Sequence, residues 1–153
     1  MTSTKGVGCQ TSRHGTLIGM SARILVVDDE AGLRDLLQVL FRRHGYDVEV
    51  ADGQKRAQEI LRGRPPFDVV VTDLSMPDGS GMAVLAEARK GTGSTQVVMI
   101  TAYATTGQAV QAMRDGAYDY VKKPFKNDEL LAIVEKAVEK RAILEQNSAL
   151  RRH

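Results

Sequence analysis

Five short apolar runs punctuate the chain at near-regular intervals: Ile24–Val27, Val48–Val50, Val69–Val71, Val97–Ile100 and a stretch around Tyr118–Val121. Between them the apolar positions change period. Leu33, Leu36, Leu37, Leu40 and Phe41 fall three to four residues apart, the spacing of one helical face, and Gly45 then ends that helix. Ala57, Ile60 and Leu61 form a second stripe, which Pro65-Pro66 stops. Met82, Leu85 and Ala88 make a third, Ala109, Ala112 and Met113 a fourth, and Leu130, Leu131, Val134 and Val138 a fifth. Several of the runs are continuously apolar, as strands covered on both faces must be. Strands alternating with helices predict an α/β fold, a doubly wound five-stranded parallel sheet with helices on both faces and right-handed crossovers.

The flanks read differently. Residues 1–22 are rich in Gly, Ser and Thr, and only Leu17, Ile18 and Met20 interrupt the polar run. They lack the apolar core of a secretory signal and are expected to be a disordered leader; Met20 would itself serve as a start. Residues 23–126 form the expected core. Residues 127–153 are the last helix, with Asn127 as a cap and Asp128 and Glu129 suited to its positive end. Helix-forming residues continue some two turns past what the core needs. No clean heptad continues past Val138, since Arg141, Glu145 and Ser148 interrupt the candidate seams, leaving a solvated end or the start of a linker to an output domain as the two readings.

Composition narrows the function. The 153 residues are 42% hydrophobic and 26% charged, a globular balance, and no apolar run approaches the roughly 20 residues of a spanning helix. Cys9 is alone, and His14, His44 and His153 are scattered, so neither disulfides nor thiolate or imidazole metal sites are expected. The 21 basic residues exceed the 19 acidic ones only through Lys5 and Arg13. The body is neutral, which argues against direct nucleic-acid binding.

In doubly wound folds, ligands bind beyond the carboxyl ends of the strands. The first strand ends in Asp28-Asp29-Glu30, the third in Asp73, the fourth in Thr101, and the fifth runs into Lys122-Lys123-Pro124. Singly, each has an ordinary explanation: Asp29 as a helix cap, Thr101 as a β-branched strand residue, Lys123 as a solvated charge. Together they do not, because two carboxylates about 5 Å apart repel by roughly 3 kcal/mol at an effective dielectric of 20. Such a cluster either raises a carboxyl pKa or calls for a cation. Oxygen-only ligands favour Mg2+, which takes one or two carboxylates plus phosphate oxygens. A lysine and a hydroxyl nearby would complete a site for a tetrahedral dianion.

The ordered motifs Val-Val-Asp-Asp-Glu (26–30), Asp73 with Met76-Pro77-Asp78-Gly79-Ser80-Gly81, Ile-Thr-Ala-Tyr (100–103) and Asp119-Tyr-Val-Lys-Lys-Pro-Phe resemble those of response regulator receiver domains of bacterial two-component systems. The stretch after Ile100 is most similar to receivers of sigma-54-dependent enhancer-binding regulators. The resemblance implies a flavodoxin-like receiver fold with Asp73 as phosphoacceptor for a sensor histidine kinase. It implies Asp29 as a direct Mg2+ ligand, Asp28 as its neighbour, Ser75 as a backbone-carbonyl ligand and Lys123 as the phosphoryl partner. Thr101 and Tyr120 would form the switch that alters the face of the fourth helix, fifth strand and fifth helix. The chain would be a cytoplasmic signalling module in transcription regulation rather than an enzyme, acting only on its own phosphate. A homodimer through the fourth and fifth helices, using residues such as Ala112, Met113 and Val134, is a further expectation. Lys122 and the leader depart from the pattern.

Three rivals stay open at this point. A phosphatase of the haloacid dehalogenase type would need an acid where Ser75 stands. A nucleotide or flavin module would need a glycine-rich turn where the acidic pair stands. A receiver-like domain used only for protein contacts would not need intact acidic, Thr and Lys positions.

Overall fold

A computed structural model describes residues 21–63, 66–90, 93–102 and 106–152. The first 20 residues of the expected leader, together with Pro65 and Tyr103, lie outside the described residues. The sheet strands are β1 (Arg23–Val27), β2 (Asp47–Ala51), β3 (Val69–Asp73), β4 (Gln96–Thr101) and β5 (Asp119–Lys122). The helices are α1 (Ala31–Arg43), α2 (Gln54–Gly63), α3 (Gly81–Arg89), α4 (Thr106–Arg114) and α5 (Asn127–Arg152). All five strands are parallel, in the order β2-β1-β3-β4-β5.

The continuous apolar runs have a direct cause in the packing. Leu25, Val27, Val70, Val97 and Met99 meet Ala57 and Ile60 of α2, Val84, Leu85 and Ala88 of α3, and Ala112 of α4. Their strand neighbours Ile24, Val26, Val69, Val71, Val98 and Ile100 point the other way, onto Leu37 and Phe41 of α1 and Leu130, Val134, Ala137 and Val138 of α5. Alternate residues thus serve two cores, and neither face of the sheet can be polar. The helix boundaries follow local chemistry: α1 stops at His44, and Gly45 turns the chain away at φ +88°, a conformation most side chains resist.

The structure corrects the expected dimer patch. Ala112 and Val134 are buried in the two cores, so their side chains are not on the surface where that patch was expected. Among the described residues, the large apolar side chains exposed on these elements are Val110 and Met113 of α4, Tyr120 of β5 and Ile143 of α5.

Helix α5 is a single run of 26 residues, and its distal half is tied down by charge. Arg141 donates to Asp68 at 3.0 Å and to the Ser94 hydroxyl at 3.2 Å, and Ser94 in turn donates to Glu145. Asp68 also receives the Arg23 backbone N–H at 2.7 Å. Arg141 and Glu145, the residues that spoil a heptad, bind the helix to the amino-terminal ends of the central strands.

A two-residue antiparallel ribbon, Ser75–Met76 against Gly79–Ser80, follows β3 and has no counterpart in the sequence expectations.

Candidate functional site

The parallel sheet delivers β1, β3 and the β5–α5 loop to one end of the molecule. Asp28 and Asp73 are buried there, 2% and 8% exposed, while Asp29 is exposed at the rim. Oxygen atoms of Asp28, Asp29 and Asp73 all lie within 4.8 Å of one another. The Lys123 ammonium group reaches back between the two buried carboxylates, 3.3 Å from Asp28 Oδ2 and 3.2 Å from Asp73 Oδ2. Lys123 is therefore no solvated loop charge. Its backbone N–H donates to the Thr101 carbonyl at 2.8 Å, which anchors the loop to the end of β4.

Electrostatics follow from this crowding. Burial pushes the Asp28 carboxyl above the usual carboxylate range; the Glu30 N–H and the Lys123 ammonium pull it back only in part, and Asp73 adds to the rise. For Lys123, burial works against the ammonium, but the attraction of Asp28 and then Asp73 prevails and holds the proton more firmly than in free lysine. Two partly compensated anions and a rim carboxylate leave an excess of negative charge, composed of oxygen donors alone. That donor set fits Mg2+.

The remaining expected residues fall as follows. Thr101 is buried at the last position of β4, next to the Asp73–Ile100 register pair. Ser75 is exposed in the ribbon, and its N–H donates to Asp73 Oδ1 at 3.3 Å. Tyr120 is not part of the cluster: it stands on the edge strand β5, paired in register with Met99, and is 40% exposed.

Supporting residues escaped the sequence reading. Arg34, one turn into α1, donates to the Asp28 carbonyl at 2.7 Å and braces the β1–α1 turn. Asp78 receives the backbone N–H groups of Gln54 at 2.9 Å and Lys55 at 3.1 Å, capping α2 from a different loop. These donors, Lys55 first, hold the Asp78 carboxyl below the usual range. In return the Gln54 side-chain carbonyl accepts the Ser80 N–H at 2.7 Å. Gly79 and Gly81 are required by close approach, since a Cβ would run into Gln54 Oε1 at the first and the Asp73 carbonyl oxygen at the second. The Asp78-Gly79 pair signals a turn, but a cap supplied across 24 residues carries no local signature.

A family model for the response regulator receiver domain matches residues 24–135. The chain is 41% identical over 117 residues to the regulatory protein AtoC of Escherichia coli K12, across 76% of this chain and 25% of that protein. It is 40% identical over 102 residues to the response regulator protein PilR of Pseudomonas aeruginosa, across 67% of this chain and 23% of that protein. The chain thus spans about a quarter of the length of these relatives. Among solved structures, a receiver domain protein of Clostridium thermocellum superposes with a TM-score of 0.75 at 31% identity, covering 80% of this chain and 98% of that one. NtrX of Brucella abortus superposes at 0.77 and 34% identity, covering 86% of this chain and 30% of that one.

Proposed function

This chain belongs to the response regulator receiver domain family, and from that premise we propose that Asp73 accepts a phosphoryl group from a sensor histidine kinase in a Mg2+-dependent reaction. The observation that supports this most directly is the Lys123 ammonium held at 3.2–3.3 Å between the Asp28 and Asp73 carboxylates. A carboxylate at a strand end, beside a fixed cation and an acidic pair, is equipped as a nucleophile toward phosphorus and needs no general base.

Asp28, Asp29 and Asp73, with the Ser75 carbonyl, would hold the Mg2+, which supplies charge neutralisation for the transferring phosphoryl group. Lys123 keeps an ammonium group at the phosphoryl oxygens without a proton transfer. Asp28, the more buried carboxylate, balances that ammonium. Thr101 offers its hydroxyl to the phosphorylated Asp73, and Tyr120 leaves its exposed position for the space Thr101 vacates. That movement biases an equilibrium between two surfaces of α4, β5 and α5, which a following domain or partner reads.

No helix among the described residues is long and apolar enough to cross a membrane. We place the module in the cytoplasm, catalysing only its own phosphorylation and dephosphorylation. The test is phosphorylation by acetyl phosphate with and without Mg2+, in the native chain and in Asp73→Asn. Labelling that needs both Mg2+ and Asp73 supports the reading; undiminished labelling of Asp73→Asn overturns it.

A further inference from the structure

The phosphorylation site is not held by its own strands alone. Asp73 is followed by Leu74 and then by the short ribbon in which Ser75 is paired with Ser80 and Met76 with Gly79. Ser75 closes back on Asp73 through its N–H, 3.3 Å from Oδ1, so the position of Ser75 orients the carboxylate. A two-residue ribbon is far too small to be stable by itself. It is fastened from outside.

The fastening comes from α2. Gln54 Oε1 accepts the Ser80 N–H at 2.7 Å, on the ribbon strand opposite Ser75. Asp78, at the ribbon's turn, accepts the N–H groups of Gln54 and Lys55 in the reverse direction. Gln58, one turn further along α2, accepts from the Gln54 amide at 3.4 Å and fixes which end of that amide faces the ribbon. The glycine at position 79 leaves the gap through which the Gln54 side chain reaches Ser80. Met76, buried on the other side, prevents the ribbon from lifting away.

We infer that Gln54 is a positioning residue for Asp73, acting through the bond to Ser80 and the Ser80–Ser75 pairing to set the carboxylate and the Ser75 carbonyl for the metal. The inference rests on the reading of Asp73 as the Mg2+-dependent phosphoacceptor. Gln54 touches neither phosphate nor metal. Its contribution is geometric: a ribbon free to shift by a few tenths of an ångström presents Ser75 and Asp73 in many arrangements, only some of which suit a small, octahedral ion.

The full chain tests this with Gln54→Ala, which suits a helix start, and Gln54→Met, which keeps the stem and removes the acceptor. Arg56→Ala, an exposed position on the same helix, is the control. Amide hydrogen exchange at Ser80 reads the tether. A Mg2+ titration followed at the Ser75 amide resonance reads the metal site without phosphate. Acetyl phosphate labelling across Mg2+ concentrations separates half-saturation from maximal rate. Both Gln54 variants are expected to lose protection at Ser80 and to need about three- to tenfold more Mg2+ at half-saturation, as loss of one supporting hydrogen bond implies. Their rate at saturating Mg2+ should stay within about twofold of the native rate, a split that general loosening of α2 would not produce. Gln54→Met or Gln54→Ala with native Mg2+ half-saturation would overturn the inference while leaving the phosphoacceptor in place. A native chain that neither binds Mg2+ nor labels would remove both.

Discussion

Replacing Lys123 by methionine tests the electrostatic account most directly. The ammonium lies 3.3 Å and 3.2 Å from its two carboxylates, and each contact is worth about 5 kcal/mol of attraction at an effective dielectric of 20. Without it, Asp28 and Asp73, whose oxygens approach within 4.8 Å, repel by roughly 3.5 kcal/mol with only partial access to water. Removing one partner from a buried pair costs about 3–5 kcal/mol by precedent. The burial that already raises the Asp28 carboxyl sets a ceiling, because Asp28 can escape the penalty by taking a proton. That escape costs about 1.4 kcal/mol for each pH unit above the ordinary value near 3.9, so roughly 5 kcal/mol at pH 7.5 and 1.5 kcal/mol at pH 5. Lys123 is among the groups that pull the Asp28 carboxyl down, so its loss raises that carboxyl further, and the variant must gain stability relative to the native chain as the pH falls through that window. Urea unfolding in the absence of Mg2+ is expected to show Lys123→Met about 3 kcal/mol less stable than the native chain at pH 7.5. At pH 5 the difference should shrink to about 1 kcal/mol. Millimolar Mg2+ should recover part of the loss at pH 7.5. A deficit that is the same at both pH values, or no deficit, would refute the claim that Lys123 neutralises the buried carboxylates.

Asp29→Ala should abolish Mg2+-dependent labelling while leaving the metal-free melting temperature unchanged or slightly higher, since a carboxylate is removed from a crowded rim; normal labelling would show the metal site to be misplaced. Asp78→Ala should lower the melting temperature at neutral pH, with the deficit fading as the pH falls below the usual carboxylate range, because the capping carboxylate is held ionised there; a pH-independent deficit would rule out the cap. Beryllofluoride treatment should reduce solvent quenching at Tyr120, now 40% exposed, and Thr101→Ala should block that change; quenching that stays constant would remove the switch. Sedimentation of native and beryllofluoride-treated protein over a concentration series should reveal a dimer whose association constant shifts about 5- to 150-fold, an ordinary coupling of 1–3 kcal/mol. A monomer in both states would leave Val110 and Met113 to some other partner.

What could be read from the chain, and what could not, divides by the range of the interactions. The strands were legible because both residue alternations face a core, so Ile24–Val27 and Val97–Ile100 are apolar throughout. The acidic pair, Asp73 and Lys123 were legible through strand ends and motif order. The bridge of Lys123 onto both carboxylates was not, for it joins residues 95 and 50 positions apart. The same holds for the Gln54–Ser80 tether and for the Asp78 cap, which belong to different loops. Helical stripes blurred the dimer face for another reason. Ala112 and Met113 are neighbours about 100° apart on α4, and period alone left open that Ala112 turns inward and Met113 outward. Arg141 and Glu145 looked like breaks in a seam; their roles became visible only with Asp68 and Ser94 beside them.

The fastening of α5 also determines how the molecule bears load. The helix starts at Asn127, just past Lys123 and the carboxylates, and Arg141 lies fourteen residues on, about 21 Å along the axis, where it is bolted to Asp68 and Ser94 at the opposite end of the central strands. A pull or twist applied beyond Glu145 therefore enters the sheet at its floor before it can travel up the helix to the phosphate end. The Arg141 cluster acts as a strain relief, like the clamp where a cable enters its housing. Load on that end of the helix is thus taken up before it can drag Lys123 out from between Asp28 and Asp73.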